Sequence, residues 1–218
     1  MPSVYGTDVY AYLVRARQQL DTRSNERLFY AAFELRCAVE SRLQQYLNAR
    51  EDIAKRKKKG WRIAASEMEL SKVFKDGRTI VELQLTTADV GELRLFYTPV
   101  RKVLVSAAER LGDLLHHRKA DLDEVDVWWK RTRDFLEDTF AELEFASAGT
   151  LLAPPMVSGD RRQVHVESFF HRSNPQNDMF DRLVVLPRGT HFNSRIHLHS
   201  SLPEHARSLL NSWRMDVT

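Results

Sequence analysis

The first 148 residues place apolar side chains mainly at helical spacing. Val9, Tyr12, Leu13 and Ala16 share one face of a segment that Thr7 or Asp8 can cap and that runs to about Asp21. A longer helix, capped by Ser24 and continuing through about Asn48, repeats Leu28, Ala32, Leu35, Val39, Leu43 and Leu47. Its apolar stripe is wide enough for a central position in a bundle. A shorter helix is predicted over 63–75, stopped by Asp76–Gly77.

The period then changes to two. Residues 79–86 and 92–97 alternate around Ala88-Asp-Val-Gly91, the pattern of a β-hairpin between helices. Thr98–Pro99 opens a fourth helix to about His117, and Asp121 or Asp123 caps a fifth over about 125–145. Glycine and the Pro154–Pro155 pair concentrate in 149–161, a linker. Beyond it, strands are expected at 163–170, 182–186 and 192–199, with a last helix from about Pro203 to Trp213.

The fold class expected is therefore α-rich. A helical bundle over 1–148 carries an inserted hairpin at 78–98, and 162–218 forms a small α+β C-terminal extension. The chain has 218 residues, 43% of them hydrophobic and 29% charged, which is enough to bury a core and excludes disorder as the dominant state. One cysteine, Cys37, excludes a disulfide framework within the chain, and its apolar neighbours suit a buried thiol better than a nucleophile. No apolar run reaches the roughly 18–20 residues of a membrane span, and charged residues interrupt the N-terminus early. A cytoplasmic protein without membrane contact is expected.

Charge is unevenly placed. Residues 50–62 hold seven basic side chains against Glu51 and Asp52, while 121–145 carry nine acids and three bases. The basic stretch (Lys55, Arg56, Lys57, Lys58, Lys59, Arg62) includes Trp61. Lysines can neutralise phosphates while an indole stacks on a base, so this segment is a candidate site for RNA or single-stranded nucleic acid. The competing reading is a solvated loop with Trp61 in the core. Trp128–Trp129, beside Lys130, Arg131 and Arg133, is either a partner face or a pair with one ring inside and one at an edge.

The common phosphate-loop, dinucleotide, nucleophile-elbow and zinc-protease signatures are absent. His165, His171, His191, His197 and His199 gather in the tail. His197 and His199 would share one side of a strand, as metal-binding pairs do, but no acidic third ligand is close in sequence and Arg188 and Arg195 disfavour a cation.

The stretch Ala108-Glu-Arg-Leu-Gly-Asp-Leu-Leu-His-His117 is the most informative. At about 100° per residue, Arg110 and His117 fall on nearly the same helical face, with Asp113 between them. His116 falls nearly opposite the apolar stripe. A histidine can move a proton, an arginine can hold a pentavalent phosphorus, and a carboxylate can orient either. An ordinary surface strip of ion pairs has the same spacing.

Arg110 followed after five or six residues by His116 or His117 resembles the R-x(4–6)-H pattern of the HEPN superfamily, all-helical domains that include metal-independent ribonucleases. Ala31-Ala-Phe-Glu-Leu-Arg-Cys-Ala-Val-Glu40 resembles the family's LRxxxE helix, with Arg36 and Glu40 one turn apart. Leu111-Gly-Asp-Leu-Leu-His116 is similar to the LGNxxH form of some members. From the residues alone, Arg36 and Glu40 make a partly buried structural pair. The resemblance covers about residues 7–146. The tail lies outside it, and the hairpin departs from the simplest members.

The resemblance implies an RNA-acting protein, a metal-independent endoribonuclease of a toxin or defence system that needs no cofactor. His117 or His116 would be the acid/base, Arg110 would stabilise the phosphorane and Asp113 would orient them. Two bundles would pair as a homodimer to build one site. The alternative is a non-catalytic adaptor, a subunit of a larger nucleic-acid-acting complex, using the same helices, the basic loop and the tryptophan face.

Overall fold

The computed structural model describes residues 5–50, 79–116, 123–157, 164–170, 176–187 and 190–206, together with Ile53, Ile63, Ser66, Met68, Leu70 and Asn174. The chain divides into two compact units, Met1–Leu70 with Val100–Ser147 and Ser71–Pro99 with Ala148–Thr218.

The first unit is helical. Helix α1 (Val9–Leu20) starts at Asp8, whose carboxylate accepts from the backbone N–H groups of Tyr10 and Ala11 at 2.9 and 3.0 Å. Helix α2 (Arg27–Asn48) starts three residues after the expected cap Ser24, and Glu26 precedes it without a side-chain cap. Helix α3 spans Lys102–Leu114 and α4 spans Val127–Ser147. Ile63, Ser66, Met68 and Leu70 are helical, in line with the short helix expected there.

Helix α2 packs on α1, α3 and α4, the central place its wide stripe called for. Leu13, Leu28, Leu35, Leu43, Leu104 and Leu111 are buried in this core, with Leu136 and Leu143 from α4. Arg42 is also fully buried. Its Nε donates to the Ala146 carbonyl at 2.9 Å, where the Tyr46 hydroxyl also donates, while the Tyr10 hydroxyl donates to the Ser147 carbonyl. Carbonyls at the end of α4 have no intrahelical partner, so three side chains complete that end, one of them a cation where the helix dipole favours it. Arg17 binds Glu137 through two hydrogen bonds of 2.8 and 2.7 Å, tying α1 to α4.

The second unit holds the hairpin and the tail. Strands β1 (Ile80–Thr87) and β2 (Gly91–Tyr97) form the expected antiparallel hairpin, and Gly91 at φ 93° takes the left-handed turn position. The hairpin groups with the tail instead of with the bundle in which the sequence pattern had inserted it. Strand β5 (Asn193–His199) pairs antiparallel with β1, giving a three-stranded sheet of order β2-β1-β5. A central strand needs partners on both sides, and the β2 edge alone leaves one row of β1 donors and acceptors open.

The expected strand at 163–170 is reduced to β4 (Val164–His165), paired with β3 (Met156–Val157), plus a bridge from Ser168 to Leu151. The expected strand at 182–186 is a correction, because helix α5 (Asn177–Val184) covers most of it. The β-branched run there suggested a strand. Asn174 settles the local turn by accepting from the backbone N–H of Gln176, and Phe180 packs on Phe170 with ring centroids 4.3 Å apart. Glu204–Ala206 are helical at the start of the expected last helix, the rest of which lies outside the described residues. Among the described residues no helix is long and apolar enough to cross a membrane.

Candidate functional site

The two helices that carry the sequence motifs meet at a specific place. Arg36 of α2 donates from Nε to Glu40 at 3.2 Å and from Nη1 to the Ala108 carbonyl of α3 at 3.2 Å. Its guanidinium lies against Gly112, where a Cβ would collide with Nη1. Both side chains of the Arg36–Glu40 pair are partly buried, as the residue pattern indicated. Burial raises the Glu40 carboxyl above its ordinary range, with Arg36 opposing that shift.

Beyond this contact, Arg110, Asp113 and His116 are all exposed on the last turns of α3 and its end. The Arg110 guanidinium sits 3.9 Å from the centre of the Phe135 ring of α4, a cation–π contact. Among the described residues it has no carboxylate partner. No side-chain hydrogen bond joins Arg110, Asp113 and His116 among the described residues; only the His116 backbone N–H donates to the Asp113 carbonyl, at 3.4 Å. Each stands separately at the surface of one chain.

One geometric expectation is corrected. Helix α3 ends at Leu114, short of the expected His117, so the 100° arithmetic that set Arg110 and His117 on one face has no helix beneath its last step. Leu115, the C-cap residue of α3, is 40% exposed. His117 lies outside the described residues. So do Lys55, Arg56, Lys57, Lys58, Lys59, Trp61 and Arg62 of the basic segment.

Trp128 and Trp129 are half-buried in a cluster with Phe29, whose ring centroid lies 6.1 and 5.9 Å from theirs. The Trp129 Nε1–H donates to the Asp123 carbonyl. Neither ring is a bare partner face; the cluster closes the α2–α4 end of the bundle. Cys37 is half-buried and burial pushes its thiol pKa up, with Glu40 and Glu34 adding to the effect, the opposite of an activated nucleophile.

A second group of chemical side chains escaped the sequence pattern. Glu82 of β1 has a side chain only 3% exposed, yet it is charged. It accepts from His199 Nε2 at 2.7 Å and from Arg94 Nη1 at 3.2 Å, and His205 Nε2 lies 3.2 Å away. Burial would raise its pKa, but the hydrogen bonds from His199 and His205, with Arg94, outweigh it and hold the carboxyl below its ordinary value. The sequence offered no local signal, since Glu82 takes the polar phase of an alternating strand that also carries Gln84 and Thr86; only its burial shows that the carboxylate needs partners. Its partners lie 12 to 123 residues away, and His205 has no motif around it. Among the described residues no group of His, Cys, Asp or Glu is arranged to hold a metal ion.

The chain matches no protein-family description, no curated protein and no solved structure.

Proposed function

We propose that the helical unit is a HEPN-like ribonuclease that cleaves RNA without a metal ion, in the manner of a toxin or defence effector. The observation that carries this reading is Arg110, a guanidinium fixed over Phe135 with no carboxylate partner among the described residues. An arginine placed in that way can meet the extra negative charge of a phosphorane at no cost of breaking an ion pair. Arg36 supports it by binding the motif-bearing turn of α3 at Ala108 and Gly112.

In this reading His117 or His116 takes the proton of the ribose 2′-hydroxyl. The 2′-oxygen bonds to phosphorus, the bond from phosphorus to the 5′-oxygen breaks, and that oxygen leaves with a proton from a second histidine. The products are a 2′,3′-cyclic phosphate and a 5′-hydroxyl. One chain presents its motif at an open surface, so a second copy would supply the opposite wall and the second histidine. Lys55 to Arg62 would hold the RNA backbone.

The test is RNA cleavage by the purified chain in EDTA, beside Arg110→Ala/His117→Ala and His116→Ala variants. Cyclic-phosphate ends produced only by the unsubstituted protein support the reading. Intact RNA in every lane, with the protein folded and dimeric, sinks it.

The adaptor reading is favoured by one observation of its own. Tyr30 and Phe33, one turn apart on α2, are 60% and 48% exposed, an aromatic pair suited to a protein partner. Co-purifying proteins lost on Tyr30→Ser/Phe33→Ser, with no RNA cleavage, would favour it.

A further inference from the structure

The second unit carries a polar sheet face that the ribonuclease reading does not use. The register sets Glu82 between Phe96 of β2 and His197 of β5, Gln84 between Arg94 and Arg195, and Ile80 opposite His199. Side chains alternate along a strand, so Arg195, His197 and His199 form one row on the same face as Glu82. The His197 and His199 rings are 6.3 Å apart, centre to centre.

Glu82 gives this row its organisation. An ionised carboxylate only accepts hydrogen bonds, so the 2.7 Å contact places a proton on His199 Nε2 and turns Nδ1 away from Glu82. His199 is thus oriented by a buried group, as a binding or proton-transferring imidazole commonly is. Among the described residues the Arg195 side chain has no ion-pair or hydrogen-bond partner, and the His197 side chain has none besides its ring contact with His199.

We infer that this face binds a phosphate group, through the Arg195 guanidinium and the His197 imidazole, with His199, held by Glu82, as the wall beside them and Glu82 as the positioning residue. Among the described residues, the charged and titratable groups facing the row are Glu82 on β1, Glu92 and Arg94 on β2, and His205 from the segment after β5. Arg94 binds both Glu92 and Glu82, and Glu82 is further covered by the two histidines, so its negative charge is spent inside the cluster. Arg195 and His197 remain free to meet an anion. Guanidinium and imidazole N–H donors match the acceptor oxygens of a phosphate. This site is independent of the ribonuclease reading.

The test is NMR of the histidine ring protons of the full chain, titrated separately with inorganic phosphate, a mononucleotide and a single-stranded RNA oligonucleotide. The expected result is a saturable shift of the His197 and His199 resonances, with affinity reduced at least tenfold in Arg195→Gln and in His197→Gln. Both residues are exposed on an edge strand, so neither change threatens the fold. A response to inorganic phosphate and the mononucleotide but not to the oligonucleotide identifies a terminal or free phosphate as the ligand, whereas a response to the oligonucleotide alone identifies backbone phosphodiesters. No shift with any of them, or shifts that persist unchanged in both variants, overturns the site. For Glu82, ring nitrogen shifts should report a single Nε2–H tautomer of His199 that becomes mixed in Glu82→Gln with weaker phosphate binding. An unchanged tautomer and affinity would remove Glu82 from the site.

Discussion

Arg36 and Gly112 fit into one another: the guanidinium occupies the space that a Cβ at position 112 would need. The contact brings α2 within hydrogen-bonding reach of the Ala108 carbonyl, one turn before Gly112. A residue type that reads as a helix weakener in the sequence is thus the condition for close helix packing.

Gly112→Ala should therefore displace the Arg36 guanidinium, the far end of a flexible side chain, and leave stability within about 1 kcal/mol, since alanine's higher helix propensity offsets the lost contact. The Arg36 side chain must move and abandon Ala108. Thermal or denaturant unfolding checks this, and a larger loss would show that Arg36 does not yield freely.

Arg110→Ala should leave stability almost unchanged, since an exposed cation–π contact is worth about 0.5–1 kcal/mol. If the helical unit is the proposed ribonuclease, the same change should lower RNA cleavage by about 10²–10³-fold, since it removes the donor assigned to transition-state charge. The pair of measurements, melting temperature and cleavage rate, separates a site residue from a packing residue.

Arg42→Met should cost several kcal/mol, about 2–4, because it deletes a fully buried donor to the end of α4. The Tyr46 hydroxyl still reaches the Ala146 carbonyl, so the helix end is weakened and not orphaned. Denaturant unfolding of Arg42→Met, alone and combined with Tyr46→Phe, would reveal the shared acceptor as non-additive losses.

Glu82 predicts an acid-sensitive second unit. Its folded pKa is depressed below the ordinary 4.5, so its contribution to stability is fully present above that value. The contribution is lost as pH falls below 4.5 through the depressed folded value, where the carboxylate takes up a proton and releases its donors. Glu82→Gln should flatten this acid limb of the stability curve. An identical limb in both proteins would place the acid sensitivity elsewhere.

Nucleic-acid affinity should fall steeply with salt, with a log–log slope of about −0.7 for each phosphate contacted by a basic side chain. Replacing Lys57, Lys58 and Lys59 by glutamine should reduce the slope by about 2 on the same scale. An unchanged slope would exclude the basic segment from the interface.

Periodicity made the helical unit legible. The apolar repeats of α1, α2, α3 and α4 record a burial requirement that each helix meets with one face, and their ends fell within a few residues of expectation. Asp8 served as the N-cap that its position suggested. The hairpin was equally plain, since strict alternation and Gly91 are local signals. Residues 182–184 were misread because Leu183-Val-Val carries strand propensity that local capping and the Phe170–Phe180 contact override.

By itself, the sequence determined where helices and the hairpin form, that Arg36 and Glu40 pair, and which turn carries Arg110 and His116. These follow from contacts between neighbours in the chain. Only the tertiary structure decided that β5 completes the sheet, that α3 stops before His117, and that Glu82 meets His199 across 117 residues. Strand pairing is set by distant partners and a one-residue slip reverses every side chain, so no local pattern could place Glu82, Arg94, His199 and His205 together.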